Sequence, residues 1–280
     1  MPSPGPQSKE EIQEYYRTVG RFLELEIAGR RDSGYWQRRA REQPRPHVLE
    51  LGAGTGRVTR LLAPLVESLV AVDLSPEMLG RARRNLDPLP SNVHLVLADM
   101  RGLRFTCTFD LILAANDPFA HLSTGGERDQ VLRHVARHLR PGGLFVLDAV
   151  WLTPSAREKA RSPGGWRRSR SLGEPEDKLS VAEHWTLERE GLQAQVEYEY
   201  REEDRVVGRA AFRPRLWTPE EVAGRFLAAG LRVRRILGGY DERPWDPSSA
   251  SALIVEGELD PELDPELDPG AAPPFHESRS

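Results

Sequence analysis

The stretch Val48-Leu49-Glu50-Leu51-Gly52-Ala53-Gly54-Thr55-Gly56 constrains this chain more than any other. An apolar run passes straight into three alternating glycines and then into a helical pattern at 58–65. Glycine is needed where the backbone takes positive φ or where a ligand lies against it. A strand ending in such a loop opens a doubly wound α/β sheet, whose ligands bind at the strand C-termini. The rest of 47–150 keeps this rhythm, with apolar runs at 68–73, 94–97, 110–114 and 144–147. Helices fall between them: one is capped by Ser75 with Pro76 at its first position, another spans 127–139. Pro141-Gly142-Gly143 reads as the turn before the fifth strand. Near-continuous apolar strands alternating with helices imply a parallel sheet buried on both faces.

Two acids sharpen the reading. Asp73 ends the second strand, about 20 residues after the first glycine, where a carboxylate accepts hydrogen bonds from ribose hydroxyls. Asp99 ends the third strand, where a carboxylate meets an adenine edge. Each has a second reading as the cap of the following turn. A dinucleotide site would use Gly-x-Gly-x-x-Gly, its third glycine admitting close helix–strand packing. Arg57 stands at that place and is expected to obstruct the packing, which puts a nicotinamide-dependent dehydrogenase behind other ligands.

The flanks add further units. Residues 1–8, rich in Pro, Ser and Gly, are expected to be disordered, and 9–45 to form an N-terminal helical lid opened by the Ser8/Glu11 capping box. The polar stretch 151–178 reads as a long loop. Three alternating runs within 179–214, with turns at Glu190-Gly191 and Glu203-Asp204, read as a small antiparallel β-insertion. A capped helix from Thr218 and two last strands fill 218–257, completing a main domain over 46–257. The tail 258–280 repeats Glu-Leu-Asp-Pro three times; proline at every fourth residue forbids helix, and disorder is expected.

Composition excludes several classes. No run approaches the about 18 apolar residues of a spanning helix. The N-terminal residues lack an apolar signal core, so a cytoplasmic location is expected. The single cysteine, Cys107, excludes an internal disulfide and a multi-thiolate metal site, and no metal is expected. A net charge of −4 disfavours a nucleic-acid partner.

Taken with Leu74-Ser75-Pro76-Glu77-Met78, Leu97-Ala98-Asp99-Met100, Phe109-Asp110-Leu111-Ile112 and Leu139-Arg140-Pro141-Gly142-Gly143, the sequence resembles the class I S-adenosylmethionine-dependent methyltransferases. Specific motifs cover about 47–150, and the order of elements extends more loosely over 12–255. The resemblance implies a mostly parallel, Rossmann-like sheet of seven strands with the last one antiparallel. It implies S-adenosyl-L-methionine as cofactor and in-line displacement of its methyl group by an N- or O-nucleophile. Glu50, Gly52, Ala53 and Gly54 would then line the methionine part and Asp73 the ribose. Leu74, Met78, Asp99 and Met100 would surround the adenine, Met78 having a second reading as helix core.

Within that family the layout is similar to glycine/sarcosine N-methyltransferases and amino-sugar N,N-dimethyltransferases, which act on small molecules. The segment Asn116-Asp117-Pro118-Phe119-Ala120-His121-Leu122 follows strand four, where acceptor meets methyl. Asn116 and His121 are the candidate orienting or basic residues, His121 because its ordinary pKa is near 6.5. A structural histidine is the other reading. Tyr15 and Tyr16 could cover the cofactor or serve as plain core. Trp185 and His184 are weaker candidates for pocket walls, and the β-insertion could form a homodimer. Two alternatives stay open: an adenine-N6 nucleic-acid methyltransferase, for which Asp117 stands where a proline is expected and Arg167, Arg168 and Arg170 form the one basic patch, and a non-catalytic cofactor-binding protein.

Overall fold

The computed structural model describes residues 7–173, 178–188 and 192–261. Ser8 opens helix α1 (Lys9–Ala28): its hydroxyl accepts from Glu11 N at 3.1 Å while the Glu11 carboxylate accepts from Ser8 N at 2.8 Å. This reciprocal pairing satisfies two otherwise orphaned donors. Helix α2 (Ser33–Ala40) completes the N-terminal segment.

The chain then builds the expected alternation. In order come β1 (His47–Leu51), α3 (Arg57–Leu62), β2 (Ser68–Asp73), α4 (Pro76–Asn85), β3 (Val93–Leu97), β4 (Phe109–Ala114), α5 (Gly125–His138) and β5 (Leu139–Ala149). After an excursion come α7 (Pro219–Ala228), β10 (Leu231–Leu237) and β11 (Leu253–Leu259). The seven strands lie in the order β10-β11-β5-β4-β1-β2-β3, and β11 is antiparallel to both neighbours. Strand order reverses between β1 and β4, which opens the ligand crevice at their C-terminal ends. Apolar clusters cover both faces. Trp36, Val58 and Leu62 pack on one side, and Val131, Leu132, Trp217 and Phe226 on the other.

The excursion after β5 departs from the expected loop over 151–178. It contains α6 (Pro154–Arg161) and β6 (Trp166–Leu172). Thr153 accepts from Ala156 N at 3.3 Å with Pro154 at the first helical position, a start signal hidden in polar sequence. β6 carries three arginines yet pairs along its whole length with β7 (Leu179–Leu187), because Arg168 and Arg170 are neutralised by Glu183 and Glu26. With β8 (Ala194–Glu202) and β9 (Arg205–Phe212) this gives a four-stranded antiparallel sheet rather than three strands. It leans on α1, where Phe22 stacks on Tyr200 at 4.0 Å.

Smaller corrections follow the same logic. Pro141-Gly142-Gly143 lies inside β5, bridging the Leu139–Phe109 and Leu144–Leu111 pairings, with Gly142 at φ +75°. β11 extends through Glu258 and Leu259, paired with Arg232 and Leu231, so the sheet enters the expected tail. Gln7 donates to Ser123 Oγ at 3.2 Å and Ser8 caps α1, so neither is disordered. The expected disorder at 1–6 and 262–280 and the turn at Glu190-Gly191 lie outside the described residues. Among the described residues no helix is long and apolar enough to cross a membrane.

Arg57 does not obstruct the first helix. Its guanidinium turns to α2 and forks onto Asp32 at 2.7 and 2.6 Å. Gly56 supplies the close approach instead: a Cβ there would stand 3.1 Å from Ala82 Cβ.

Candidate functional site

The glycine loop is held by the end of β2. Gly52 N and Ala53 N both donate to Val72 O at 2.8 and 2.9 Å. Gly54 N donates to Asp73 Oδ2 and Ser75 N to Asp73 Oδ1, both at 2.8 Å. The two flanking glycines differ in what they face. A Cβ on Gly52 would lie 2.4 Å from Pro118 Cβ, whereas a Cβ on Gly54 would meet nothing within 4 Å. Gly54 therefore presents bare backbone to open space, the cradle a ligand needs. Asp73 is 7 % exposed, and burial raises its carboxyl above the usual range against the pull of its backbone donors. Each of its oxygens keeps a second lone pair for a hydroxyl donor.

A narrow cleft of about 50 Å³ runs from Gly52 along Asp73, Leu74, Asp99 and Met100. Helix α1 closes it from above, where Gln13 Nε2 donates to Leu74 O at 2.9 Å. Four expected residues lie off this wall: Ala53 and Gly54 continue the loop beyond it, and Glu50 and Met78 are buried. Met78 is fully buried under α1, whose Gly20 would place a Cβ 2.7 Å from Met78 Cε. Glu50 accepts from Thr59 Oγ1 at 2.6 Å, and burial pushes its carboxyl up to about 7. Asp99 is clasped by Arg101, through its backbone N at 2.9 Å and its guanidinium at 2.6 Å. Although burial opposes it, this pairing holds the Asp99 carboxyl below its ordinary value. Arg101, which also bonds Glu127 Oε1 at 2.6 Å, was not anticipated.

A second cavity of about 650 Å³ lies between α1, the ends of β4 and β5, and the four-stranded sheet. Its floor is the turn at Asn116 and Asp117, both left-handed at φ +62° and +53°. Neighbouring acids lace this turn down. Asn116 N donates to Asp148 Oδ2 at 2.7 Å, Asp117 N to Asp148 O at 2.8 Å, and Val150 N to Asp117 Oδ2 at 2.9 Å. The other Asp117 oxygen is buried without a partner, and burial pushes this carboxyl up to about 7.

Tyr16 and His121 line both spaces, with the Tyr16 hydroxyl 2.9 Å from His121 Nε2. Burial alone lowers His121 to about 4, so its ring is neutral near pH 7. Nδ1 faces Gln7 Oε1 at 3.3 Å and donates to it, which leaves Nε2 to accept from Tyr16. At that value the ring is a weaker base than an ordinary imidazole. Trp185 lines the large cavity, while His184 turns away to Gly164 O at 3.2 Å. Of the basic patch read from sequence, Arg168 and Arg170 line the cavity as ion pairs with Glu183 and Glu26, and Arg167 is exposed. No cluster fit to hold a metal ion occurs among the described residues. Asp148 was missed, though its signal, an acid closing an apolar strand, is the one that marked Asp73 and Asp99.

Residues 48–143 match the family described as a methyltransferase domain. The chain is 31 % identical over 210 residues to the cypemycin N-terminal methyltransferase of a Streptomyces species, covering 74 % of this chain and 81 % of that one. It is 26 % identical over 200 residues to a dTDP-3-amino-3,6-dideoxy-alpha-D-glucopyranose N,N-dimethyltransferase of Streptomyces fradiae, covering 70 % and 74 %. Among solved structures, the CcbJ methyltransferase of Streptomyces caelestis shares the fold at a TM-score of 0.70 and 23 % identity, over 86 % of this chain and 98 % of that one.

Proposed function

Because this chain belongs to the class I S-adenosylmethionine-dependent methyltransferases, we propose that it methylates an amine nitrogen of a small-molecule acceptor. One observation carries the reading: Tyr16 and His121 line both the narrow cleft along Asp73 and the roomier cavity, so a methyl donor seated along the first would face an acceptor in the second. The names of the relatives, an N-terminal methyltransferase and two amino-sugar N,N-dimethyltransferases, point to nitrogen.

The residues fit the cofactor. Gly54 offers open backbone, Asp73 keeps lone pairs for a ribose diol, and Leu74, Asp99 and Met100 form a half-apolar wall for adenine. When bound, S-adenosylmethionine supplies an electrophilic methyl group whose sulfur leaves as a neutral thioether. Little charge needs stabilising, so the protein's work is alignment, which can supply ~7–11 kcal/mol. Asn116 is pinned by Asp148 on the acceptor side, while Tyr16 and His121 narrow the passage. His121, lowered to about 4, is a weak base, and the proposal assigns no proton-transfer role to Asp117. An amine needs no such base once it is neutral.

Helix α1 is the lid of this proposal, and the cytoplasm its location. The open face of the four-stranded sheet, around Arg167, His184, Glu197 and Arg209, is its dimer contact, which light scattering reads directly. The reaction is tested by S-adenosylhomocysteine release across a library of amines and matched alcohols. Turnover with amines supports the proposal, and turnover confined to alcohols or nucleic acid overturns it.

A further inference from the structure

Asp148 closes β5 and is 3 % exposed, yet it lines the 650 Å³ cavity. Its Oδ2 collects donors from three separate parts of the chain. These are Asn116 N at 2.7 Å, the Tyr240 hydroxyl at 2.8 Å and Arg30 Nη1 at 3.5 Å. Among the described residues nothing donates to its Oδ1. One oxygen is thus fixed by the fold and the other is left for something else. A buried carboxylate needs a counter-charge.

The surroundings favour a cation. The cavity wall holds Glu26, Asp117, Asp148 and Glu183 against Arg30, Arg168 and Arg170. Arg168 and Arg170 are taken up by Glu183 and Glu26. That leaves Asp148 with Arg30, which divides itself between Asp148 and the Tyr240 hydroxyl at 3.0 Å, while the cation acting on Asp117 is Arg128, outside the cavity wall. Trp151, Tyr240 and Trp185 stand around the same space, and aromatic faces attract ammonium groups.

We propose that Asp148 is the acceptor-binding carboxylate: its Oδ1 receives the protonated amine and sets the nitrogen beside the Asn116 turn. This rests on the N-methyltransferase reading and names the residue that selects amines over their neutral counterparts. Before nitrogen attacks, one N–H bond of the bound ammonium breaks. The pair stays on nitrogen and the proton leaves to water in the open cavity.

The test uses the full chain with saturating S-adenosylhomocysteine. The probes are 2-phenylethylamine, tryptamine and D-glucosamine, each beside its alcohol counterpart, 2-phenylethanol, tryptophol and D-glucose. Binding is read by melting temperature and calorimetry. At least one amine is expected to raise the melting temperature while its alcohol does not. Asp148→Asn keeps an acceptor for Asn116 and Tyr240 but turns an NH2 toward the amine. It should weaken amine binding roughly tenfold or more while S-adenosylhomocysteine affinity holds. Arg30→Gln removes the competing cation and should tighten amine binding severalfold, an arm independent of how Asp148→Asn folds. Amine binding unchanged in either variant, equal binding of the alcohols, or no amine-dependent shift overturns the role of Asp148. Failure of the wild type to bind S-adenosylhomocysteine strikes the underlying reading instead.

Discussion

The Tyr16 hydroxyl stands 2.9 Å from His121 Nε2, and the pair joins the N-terminal helix to the turn after β4 across the boundary between two cavities. A helix residue and a loop residue 105 positions apart therefore form one wall. Tyr16→Phe removes this hydrogen bond, worth about 0.5–1.5 kcal/mol. Turnover is expected to fall about 3- to 10-fold with cofactor affinity held, since alignment and not binding is lost. Single-turnover kinetics beside calorimetry checks the split; an equal loss in both would mean Tyr16 is a plain binding contact.

The two glycines of the loop should respond differently to alanine. At Gly52 the new methyl runs into Pro118, in a backbone already at φ +71°. Gly52→Ala should destabilise by about 3 kcal/mol. Gly54→Ala has open space and carries only the strain of its φ +57°, about 1–2 kcal/mol, but its methyl enters the ligand groove. It should lose cofactor affinity by about tenfold or more while staying folded. Urea unfolding and calorimetry separate the two effects, and intact cofactor affinity in Gly54→Ala would mean that the groove lies elsewhere.

Glu50 predicts a pH signature. Its folded carboxyl sits near 7, above the ordinary 4.5, so folding favours the protonated form. The stability this group contributes is present below about 4.5 and is lost as pH rises through 7. Glu50→Gln keeps an oxygen for the Thr59 hydroxyl and removes the titration. It should be more stable than wild type at pH 8, by on the order of 2 kcal/mol, with the advantage gone at pH 4. Denaturant midpoints across that range measure it; a pH-independent difference would contradict it.

His121 runs the other way. Its folded pKa near 4 lies below the ordinary 6.5, so its stability contribution is full above 6.5 and is lost as pH falls toward 4. His121→Phe should flatten that part of the stability profile, as read by melting temperature in buffers from pH 7 to 4. A profile identical to wild type would show that the ring is solvated.

Much of this was legible beforehand because it is local chemistry. The glycine loop, Asp73 and the apolar strands each declare themselves within a few residues, and β11 runs antiparallel as the family resemblance implied. What escaped depended on distant partners. β6 looked like a solvated loop until Glu183 and Glu26 neutralised its arginines. The burial of Met78 comes from Gly20 on α1, and the orientation of Arg57 from Asp32. Arg30 and Tyr240 meet Asp148 from positions 118 and 92 residues away, which no spacing could reveal. Asp148 itself was the exception, since it closes an apolar strand as Asp73 does.

The central claim is that Asp73, beside the Gly54 backbone, holds the ribose of S-adenosylmethionine. Isothermal calorimetry with S-adenosylhomocysteine on wild type and Asp73→Asn tests it most directly. The wild type should bind with clear heat and the variant about tenfold or more weaker, because the amide cannot accept a ribose diol as the carboxylate does. No heat with wild type, or equal affinity in both proteins, would contradict it.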